Sequence, residues 1–450
     1  MIKISLNELA KQLNTSDPIH DTIFAGISKD TRTLTPGNLY VAICGEQFDG
    51  HDYVQAAFEK GASAALVSRK MDVDIPQLVV EDTIDAMGKI CTEWRNHFHI
   101  PFIGVTGSNG KTTLKNMIAS ILRAACTDDN QVLATEGNLN NEIGVPLMLS
   151  RLNSQHRYAV IEMGMNHFNE IAHLTKMVCP QVAIVNNAAE AHLEGLKDVA
   201  GVARAKGEIF LGLPADGIAI LNRDDAHFEY WRGLVDRYIT FGLENTADVS
   251  ADTSDNITFK TPQGHFTVNL PLLGKHNIMN ALAATAATLA LNIDLTAIKK
   301  GLENMHPAPG RMQQYTLENG ARIIDDTYNA NPFSLRAAID TLATFSGTRI
   351  IVLGDMRELG PDAKQLHFAS GEKMQAAGIH HLFTLGELSA ETSKAFGKNA
   401  QHFTDREQLL NALRPHLNKD VTILIKGSRS MHMEKILAGI IPENQLEHSH

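Results

Sequence analysis

The residues with the clearest chemical potential form one short stretch, Gly-Ser-Asn-Gly-Lys-Thr-Thr at positions 107–113. Glycines allow backbone N–H groups to converge on phosphate oxygens, and the start of a helix adds the positive end of its dipole. The lysine can reach terminal phosphates, and a threonine hydroxyl can bind Mg²⁺. The stretch predicts a phosphate-binding loop formed by Gly107, Ser108, Asn109, Gly110, Lys111, Thr112 and Thr113.

The sequence on both sides supports this loop. Apolar residues at 102–105 predict a strand before it, and an apolar stripe from Leu114 to Ala125 predicts a helix after it. The spacing differs from the usual GxxxxGK[ST], because the expected first glycine falls on Val105 and Gly107 comes two residues later. We therefore expect a shortened loop. The alternative, an ordinary glycine turn before a helix, is disfavoured by the strand and the helix around it.

Two polar residues follow other predicted strands. Glu162 ends the apolar run 158–161, where a carboxylate could bind Mg²⁺, and a solvated strand-end glutamate is the alternative. His192 lies in the string NNAAEAHLEG. By itself it is more typical of a hydrogen-bonded loop histidine than of a metal ligand.

Lys206 lies within the apolar stripe of a predicted helix rather than opposite it. Burial of a lysine is costly unless it is paired, and burial lowers the pKa of the amine. A neutral amine can react with CO₂ to give a carbamate, an anionic oxygen group that could help to hold Mg²⁺. The alternative is a lysine that reaches solvent past the edge of the stripe, and residue type alone favours it. The stripe is formed by Val199, Val202, Ala203, Ile209, Phe210 and Leu213.

Composition limits the classes of function. The 450 residues suggest about three domains of ~150 residues, and 44% hydrophobic residues suit folded cores. The net charge of −11 argues against nucleic-acid binding as the main function. Four widely spaced cysteines predict free thiols, and the absence of a signal peptide or a spanning apolar segment predicts a cytoplasmic protein.

Alternating strand and helix patterns predict an α/β protein of three segments. Residues 1–83 form a small α/β segment, 84–312 a P-loop-type parallel sheet segment, and 313–450 a Rossmann-like segment after the linker HPAPGRM. A helix is predicted over 1–13 and others over 53–60 and 83–98. The main strands are predicted at 102–105, 158–161, 182–185, 217–221, 321–324, 349–353, 381–385 and 421–425.

Polar residues follow many of these strands, including Asp325, Asp326, Asp355 and Lys426. Parallel sheets bind ligands beyond the carboxyl ends of their strands. Two such sheets facing each other would form a cleft between domains, which is a common place for a site.

Taken together, the motifs resemble the bacterial Mur ligases, which are ATP-dependent amino-acid and peptide ligases of peptidoglycan assembly. The resemblance covers nearly the whole chain. It rests on the strings GSNGKTT, GNLNNEIGVP, IEMGM, NNAAEAHL, AKGEIF, GKHNIMNALAA, APGRM, DDTYNANP, LGDMRELG and KGSRSM. DDTYNANP and GDMRELG resemble the branch that joins D-alanyl-D-alanine to UDP-N-acetylmuramoyl-tripeptide. The string DNPR, expected of the diaminopimelate-adding relatives, is absent.

The resemblance implies a role for each matching residue. It implies an ATP site made by the loop 107–113 with Asn277, Asn280 and Arg311. It implies that two magnesium ions are held by Thr112, Glu162, His192 and Lys206, with Lys206 carbamylated. It gives catalytic roles to Lys111, Lys206, His192 and Asp326. It places substrate contacts at Asp30, Thr31, Arg32, Gly50, His51, Asn138, Asn140, Asn141, Tyr328, Asn329 and Asn331.

The implied partners are the two small-molecule substrates, and we expect a monomer that binds neither nucleic acid nor a membrane. Three alternatives remain at this point. A sister ligase could add diaminopimelate, lysine or glutamate, the last as in folylpolyglutamate synthases. A P-loop kinase would phosphorylate its substrate without an amine, and a nucleotide-gated binding protein would bind ATP without turnover.

Overall fold

The computed structural model describes residues 1–15, 21–45 and 47–441. The first segment has a four-stranded parallel sheet in the order β3-β4-β5-β6 and an antiparallel pair of β1 and β2. Its strands are β1 (Lys3–Ser5), β2 (Ile23–Ala25), β3 (Ile27–Ser28), β4 (Leu39–Val41), β5 (Ala64–Val67) and β6 (Gln77–Val79). Its helices are α1 (Leu6–Leu13), α2 (Val54–Glu59) and α3 (Thr83–Asn96).

The middle segment contains a six-stranded parallel sheet, ordered β12-β11-β10-β7-β9-β8, and a small antiparallel sheet of β13, β14 and β15. Its strands are β7 (Phe102–Thr106), β8 (Val132–Ala134), β9 (Tyr158–Glu162), β10 (Val182–Val185), β11 (Ile218–Asn222), β12 (Tyr238–Phe241), β13 (Ser250–Asp252), β14 (Thr258–Thr261) and β15 (Gly264–Thr267). Its helices are α4 (Lys111–Ala125), α5 (Gly144–Leu149), α6 (Glu170–Val178), α7 (Leu193–Leu196), α8 (Val199–Gly207), α9 (Phe228–Arg232), α10 (Lys275–Leu289) and α11 (Leu295–Glu303).

The third segment contains a six-stranded sheet in the order β16-β17-β21-β18-β19-β20, in which only the edge strand β16 is antiparallel. Its strands are β16 (Gln313–Thr316), β17 (Arg322–Asp326), β18 (Thr348–Gly354), β19 (His381–Leu385), β20 (Ala400–Phe403) and β21 (Val421–Lys426). Its helices are α12 (Pro332–Ala343), α13 (Ala363–Ala376), α14 (Ser389–Phe396), α15 (Arg406–Leu413) and α16 (Glu434–Ala438). Residues 442–450 of the predicted third segment lie outside the described residues.

The middle sheet is covered on both faces, which explains why its strands read as continuous apolar runs. Alternate residues of one strand enter different cores: Ile103 and Val105 pack with α4, α10 and α11, whereas Phe102 packs with α3, α5 and α6. The third sheet divides its buried residues between two cores in the same way. Helices on both faces leave the carboxyl edges of the strands free for ligands.

The structure confirms the predicted α/β class and every main strand, within one or two residues at the ends. The predicted helix over 1–13 is wrong at its start, because residues 3–5 pair with β2 and the helix begins at Leu6 after the Ser5 N-cap. The linker at 306–312 has neither helix nor strand. The segment boundaries at 83/84 and 312/313 stay predictions.

The edge strands β8, β12, β16 and β20 and the small sheet β13–β15 were missed by the sequence patterns. Strands β15, β16 and β20 contain no buried residue and carry no apolar run, whereas β8 is largely buried but only three residues long. Within the described ranges, no helix is long and apolar enough to cross a membrane.

Helix α4, which starts at the phosphate-binding loop, is fixed by close packing against α11. An alanine Cβ at Gly301 would lie 2.3 Å from the Cα of Ile121, too close for any real contact. Gly301→Ala should therefore lower the melting temperature, because overpacking costs about 1–3 kcal/mol or more. The exposed neighbour Lys300→Ala is the control. An unchanged melting temperature for Gly301→Ala would show that α11 can shift freely against α4.

Candidate active site

A cleft of about 1340 Å³ lies between the carboxyl edges of the middle and third sheets. Strand β7 leads into the loop 107–110, and β9 ends at Glu162 on the same side of the cleft. Strands β17 and β21 end at Asp326 and Lys426 on the opposite side. The cleft that the strand-end polar residues predicted is therefore present.

Two long helices begin at this cleft with free amide groups. Helices α4 and α10 have 15 residues each, and their N-caps, Gly110 and Gly274, make no side-chain cap hydrogen bond. The first N–H groups of a helix lack partners within the helix, and the helix dipole favours negative charge at that end. The cleft is therefore suited to an anionic ligand such as phosphate.

The loop before α4 is held by side-chain amides. The N–H of Asn109 donates to Asn187 Oδ1 at 2.9 Å, and Asn186 Nδ2 donates to the Asn109 carbonyl at 3.0 Å and to Asn280 Oδ1 at 2.8 Å. Gly110 has φ +77°, and a Cβ there would lie 2.6 Å from Asn280 Oδ1. Only glycine fits this position, because both the backbone conformation and the space exclude a side chain.

Lys111 and Thr112 lie at the start of α4. Lys111 Nζ donates to the Gly107 carbonyl at 2.7 Å, and burial lowers the pKa of this lysine. The Thr112 hydroxyl donates to Glu162 Oε2 at 2.8 Å and accepts from Arg311 Nη2 at 3.0 Å. Arg311 comes from the linker before the third segment, so this linker meets the start of α4 and the end of β9 at one hydroxyl group.

Glu162 is buried and its carboxylate has only neutral partners. It is 2% exposed and accepts from Thr112 and from Asn140 Nδ2, the latter at 2.9 Å. In the described part of the chain, no lysine, arginine or histidine forms an ion pair with it. Burial lowers the pKa of the nearby Lys111 and Lys115, and the charge of Glu162 acts to raise it, but neither lysine is within ion-pair distance, so the carboxylate oxygens remain suited to a bound cation.

The side chain of Lys206 is buried, with 1% of the residue exposed. The alternative of a lysine that reaches solvent is therefore wrong. Burial holds the pKa of Lys206 well below its usual value, and the charge of Lys111 lowers it further. No described residue forms an ion pair with the Lys206 amine. These conditions favour the neutral amine.

On the opposite side of the cleft, the carboxylate of Asp326 is ion-paired with Lys426. Lys426 Nζ lies 2.5 Å from Asp326 Oδ2 and donates to the Asn329 carbonyl at 2.9 Å. The guanidinium of Arg311 stacks 3.9 Å above the ring centroid of Tyr328. The third segment therefore presents a fixed charged pair and an aromatic ring to the cleft.

Several side-chain contacts cross the cleft directly and bring its two walls together. They are Asn331 Nδ2 to Asn109 Oδ1 at 2.9 Å, Arg336 Nη2 to Glu190 Oε2 at 2.8 Å, and His192 Nδ1 to Glu358 Oε2 at 3.3 Å.

The chain is similar to known proteins over nearly its whole length. The chain matches the family models described as Mur ligase family, catalytic domain (residues 24–106), Mur ligase middle domain (105–288), and Mur ligase, glutamate ligase domain (310–429). This chain belongs to the Mur ligase family. It is 42% identical over 451 aligned positions to the UDP-N-acetylmuramoyl-tripeptide–D-alanyl-D-alanine ligase of Escherichia coli K12, covering 98% of this chain and 99% of that protein.

Two solved structures resemble this Mur ligase over nearly its whole length. The crystal structure of MurF from Acinetobacter baumannii has a TM-score of 0.91 and 34% identity, covering 97% of this chain and 98% of that one. The MurF ligase from Thermotoga maritima, in complex with ADP, has a TM-score of 0.84 and 27% identity, covering 95% and 99%.

Most residues that the sequence predicted for the Mur ligase site line this cleft. Gly107 and Lys206 do not line it, since Gly107 lies at the end of β7 and Lys206 lies buried within α8. The residues that do line it are Ser108, Asn109, Gly110, Lys111, Thr112, Thr113, Asn138, Asn140, Asn141, Glu162, His192, Asn277, Asn280, Arg311, Asp326, Tyr328, Asn329 and Asn331.

The predicted residues of the first segment lie elsewhere. The ring of His51 is buried, with Nδ1 2.6 Å from Asp49 Oδ1 and Nε2 accepting from the Ser68 N–H at 2.9 Å. Both ring nitrogens are thus used within the fold. Outside the cleft of the Mur ligase site lie Asp30, Thr31, Arg32, Gly50 and His51.

Sequence reasoning missed several residues at or beside the cleft, among them Lys115, His276 and Glu358. Lys115 is buried one helical turn after Lys111, and the i,i+4 spacing of the two lysines was the available signal. His276 lines the cleft at the start of α10, within the string GKHNIMN. Glu358 lines it on the loop after β18 and gave no pattern beyond its place after a strand.

The loop geometry predicts that Lys111 is needed for binding of polyphosphate. Lys111→Met should weaken the affinity for a nucleoside triphosphate by about tenfold or more, because a charge-assisted contact is lost. The affinity should be measured by calorimetry, with the exposed Lys89→Met as the matched control. Equal affinities of the two variants would contradict the assignment of Lys111 to the phosphates.

Proposed function

We propose that this Mur ligase joins the amino group of D-alanyl-D-alanine to the terminal carboxylate of UDP-N-acetylmuramoyl-tripeptide, and converts ATP to ADP and phosphate. The observation that carries the proposal is the phosphate-binding loop at a cleft between two sheets, where Lys111, Thr112 and Arg311 converge. The agreement with the Escherichia coli ligase over the whole chain supports this choice of acceptor.

ATP is the phosphate donor in this proposal. The triphosphate would lie on the loop 107–113 at the start of α4, where free amides and Lys111 offer positive charge. Asn277 and Asn280 would contact the nucleoside, with Arg311 and Asp326 on the other side of the cleft. The Thermotoga maritima relative, described in complex with ADP, supports the choice of nucleotide.

The donor set fits magnesium. Mg²⁺ prefers oxygen ligands, and the Glu162 carboxylate and Thr112 hydroxyl are adjacent oxygen donors beside the phosphate-binding loop. His192 lines the same cleft. Two magnesium ions bound to these residues and to the phosphates would neutralise negative charge on the transferred phosphoryl group.

In the first step, a carboxylate oxygen of the tripeptide attacks the γ-phosphorus of ATP. The bond from that phosphorus to the β,γ-bridging oxygen breaks, which gives an acyl phosphate and ADP. Lys111 and Arg311 hold the phosphoryl oxygens from two sides of the cleft. Positioning and charge neutralisation account for most of such a step.

In the second step, the neutral amine of D-alanyl-D-alanine attacks the acyl carbon. The tetrahedral intermediate then loses phosphate by cleavage of its carbon–oxygen bond, and the nitrogen gives up one proton to a base. His192 and Asp326 are the two candidate bases in the cleft. Water would hydrolyse the acyl phosphate. In this proposal, the contacts that cross the cleft hold its walls together and so exclude water.

Lys206 acts as a carbamate in this proposal. Its buried amine has a lowered pKa and no ion-pair partner, which favours the neutral form that reacts with CO₂. The carbamate would carry a negative charge beside Lys111 and would offer oxygen atoms to the metal site. It would thereby convert a neutral buried amine into an anionic partner of the neighbouring lysine.

The remaining substrate contacts are proposed from position. The amide-rich loop with Asn138, Asn140 and Asn141 lines the cleft and would contact the peptide, together with Tyr328, Asn329 and Asn331. The first segment would hold the uridine nucleotide through Asp30, Thr31 and Arg32, with Gly50 and His51 shaping the adjacent loop. We expect the enzyme to act as a cytoplasmic monomer.

The function is tested by measuring ADP release with ATP, Mg²⁺ and UDP-N-acetylmuramoyl-tripeptide. Addition of D-alanyl-D-alanine should raise ADP release strongly and give the pentapeptide product by mass spectrometry. Diaminopimelate, lysine and glutamate, each offered with its matching carboxylate substrate, are the controls for a sister ligase. Faster release with one of these pairs would reject the proposal, as would phosphoryl transfer to the tripeptide that never needs an amine.

The carbamate is tested separately. In bicarbonate labelled with ¹³C, the wild-type protein should give a carbamate carbon signal that is absent from Lys206→Met. Lys206→Met should also lose ligase activity by about a hundredfold or more, because a metal-site ligand is removed while the apolar part of the side chain remains. A labelled signal that persists in Lys206→Met, or activity near wild type, would contradict this role.

A further inference from the structure

The loop after strand β18, with the sequence Gly-Asp-Met-Arg-Glu-Leu-Gly at 354–360, enters the cleft but has no role in the steps above. Asp355 and Met356 are fully buried, whereas Arg357 and Glu358 line the cleft and keep about half or more of their side chains exposed. The loop therefore presents one cation and one anion at consecutive positions.

The backbone of this loop is held from several directions. Asp355, on the loop, accepts hydrogen bonds from the N–H groups of Glu387 at 3.1 Å and Ser389 at 2.8 Å. The Met356 N–H donates to His367 Nε2 at 3.0 Å. The Arg357 N–H donates to the Ser428 hydroxyl at 2.8 Å. A loop fixed this firmly can hold charged side chains in a set geometry without ligand.

Glu358 is in a backbone conformation that is unfavourable for a residue with a side chain. Its φ is +62°, in the left-handed region where glycine is usual. Such conformations persist where the surrounding structure imposes them, and they cluster at ligand sites. Its carboxylate lies 3.3 Å from His192 Nδ1 across the cleft, which places it beside the wall that carries the phosphate-binding loop.

Arg357 is ion-paired with a buried carboxylate and still presents part of its side chain to the cleft. Its guanidinium lies 3.3 Å from the fully buried carboxylate of Asp355, and its side chain remains 51% exposed. Consecutive Cα atoms are about 3.8 Å apart, and an extended dipeptide spans about 7 Å between its ends. The charged ends of two adjacent long side chains can match the two ends of a free dipeptide.

We propose that Glu358 binds the ammonium group of the acceptor dipeptide, which gives up one proton to water before the neutral amine attacks, and that Arg357 binds its carboxylate. This inference rests on the proposed function, since it assigns the site of one substrate. The direction follows from the structure: Glu358 contacts His192 on the reacting side, so the amine faces the acyl phosphate and the carboxylate points away from it. The pair selects acceptors that have both a free amine and a free carboxylate at dipeptide spacing.

A purely structural role for Glu358 would be to hold His192 in place. That role predicts a lower kcat with an unchanged KM for the dipeptide. Binding of the ammonium group predicts instead a higher KM for the dipeptide with an unchanged KM for ATP. The two roles are therefore separable by steady-state kinetics.

The experiment compares Glu358→Gln and Arg357→Gln with wild type by phosphate release at varied D-alanyl-D-alanine. Both variants should raise the KM for the dipeptide about tenfold or more, since each removes a charged hydrogen-bond partner, and should leave the KM for ATP within about twofold. Glu372→Gln and Arg414→Gln, at exposed positions that do not line the cleft, are the matched controls. A KM for the dipeptide within about twofold of wild type for either variant would overturn the proposal.

The carboxylate contact has its own test with D-alanyl-D-alanine amide, which lacks the terminal charge. Wild type should use the amide about tenfold less efficiently than the acid, and Arg357→Gln should use both about equally. If Arg357→Gln preferred the acid over the amide as strongly as wild type does, the assignment of Arg357 to the dipeptide carboxylate would be overturned. If phosphate release by the wild-type enzyme did not depend on the dipeptide, the proposed function itself would be rejected. If wild type needed the dipeptide but the variants had an unchanged KM, only this inference would be rejected.

Discussion

The buried charges around the phosphate-binding loop do not balance, and the rest of the site depends on that imbalance. Lys115 and Lys206 are buried, Lys111 is partly buried, and burial lowers the pKa of all three lysines. The charge of the Glu162 carboxylate acts against this lowering of the pKa at Lys111 and Lys115, and the hydrogen-bond partners of that carboxylate are neutral. Uncompensated buried cations are costly, so the site as built is completed by an anionic ligand. A nucleoside triphosphate would supply that charge, and a carbamate would turn the neutral Lys206 amine into an anion.

The two open sheets turn this local constraint into a two-sided site. Strand ends and helix starts of the middle segment form one wall, and Arg311, Asp326 and Lys426 contribute from the other. In the proposed site, the nucleotide would contact both walls at once. Contacts such as Asn331 with Asn109 bring the two segments together at the loop itself. These contacts hold the two walls together, which would help to keep water from an acyl phosphate.

Much of this could be predicted from the sequence, for identifiable reasons. Buried parallel strands leave continuous apolar runs, and a glycine-rich turn between a strand and a helix has few other uses. The apolar stripe around Lys206 indicated its burial, which the structure shows, although residue type alone favoured a lysine that reaches solvent. Edge strands such as β16 and β20 were missed because their residues are largely exposed. Glu358 was missed because its left-handed backbone and its contact with His192 depend on tertiary structure, which no local pattern encodes.

The central claim is that the loop at 107–113 holds the triphosphate of ATP at the cleft between the sheets. A crystal structure with a non-hydrolysable ATP analogue and Mg²⁺ tests it directly. The account predicts phosphate oxygens at the first amides of α4, with Lys111 Nζ turned from the Gly107 carbonyl towards the γ-phosphate and Arg311 approaching from the opposite wall. A nucleotide bound elsewhere, with the loop unchanged and without phosphate, would contradict the account.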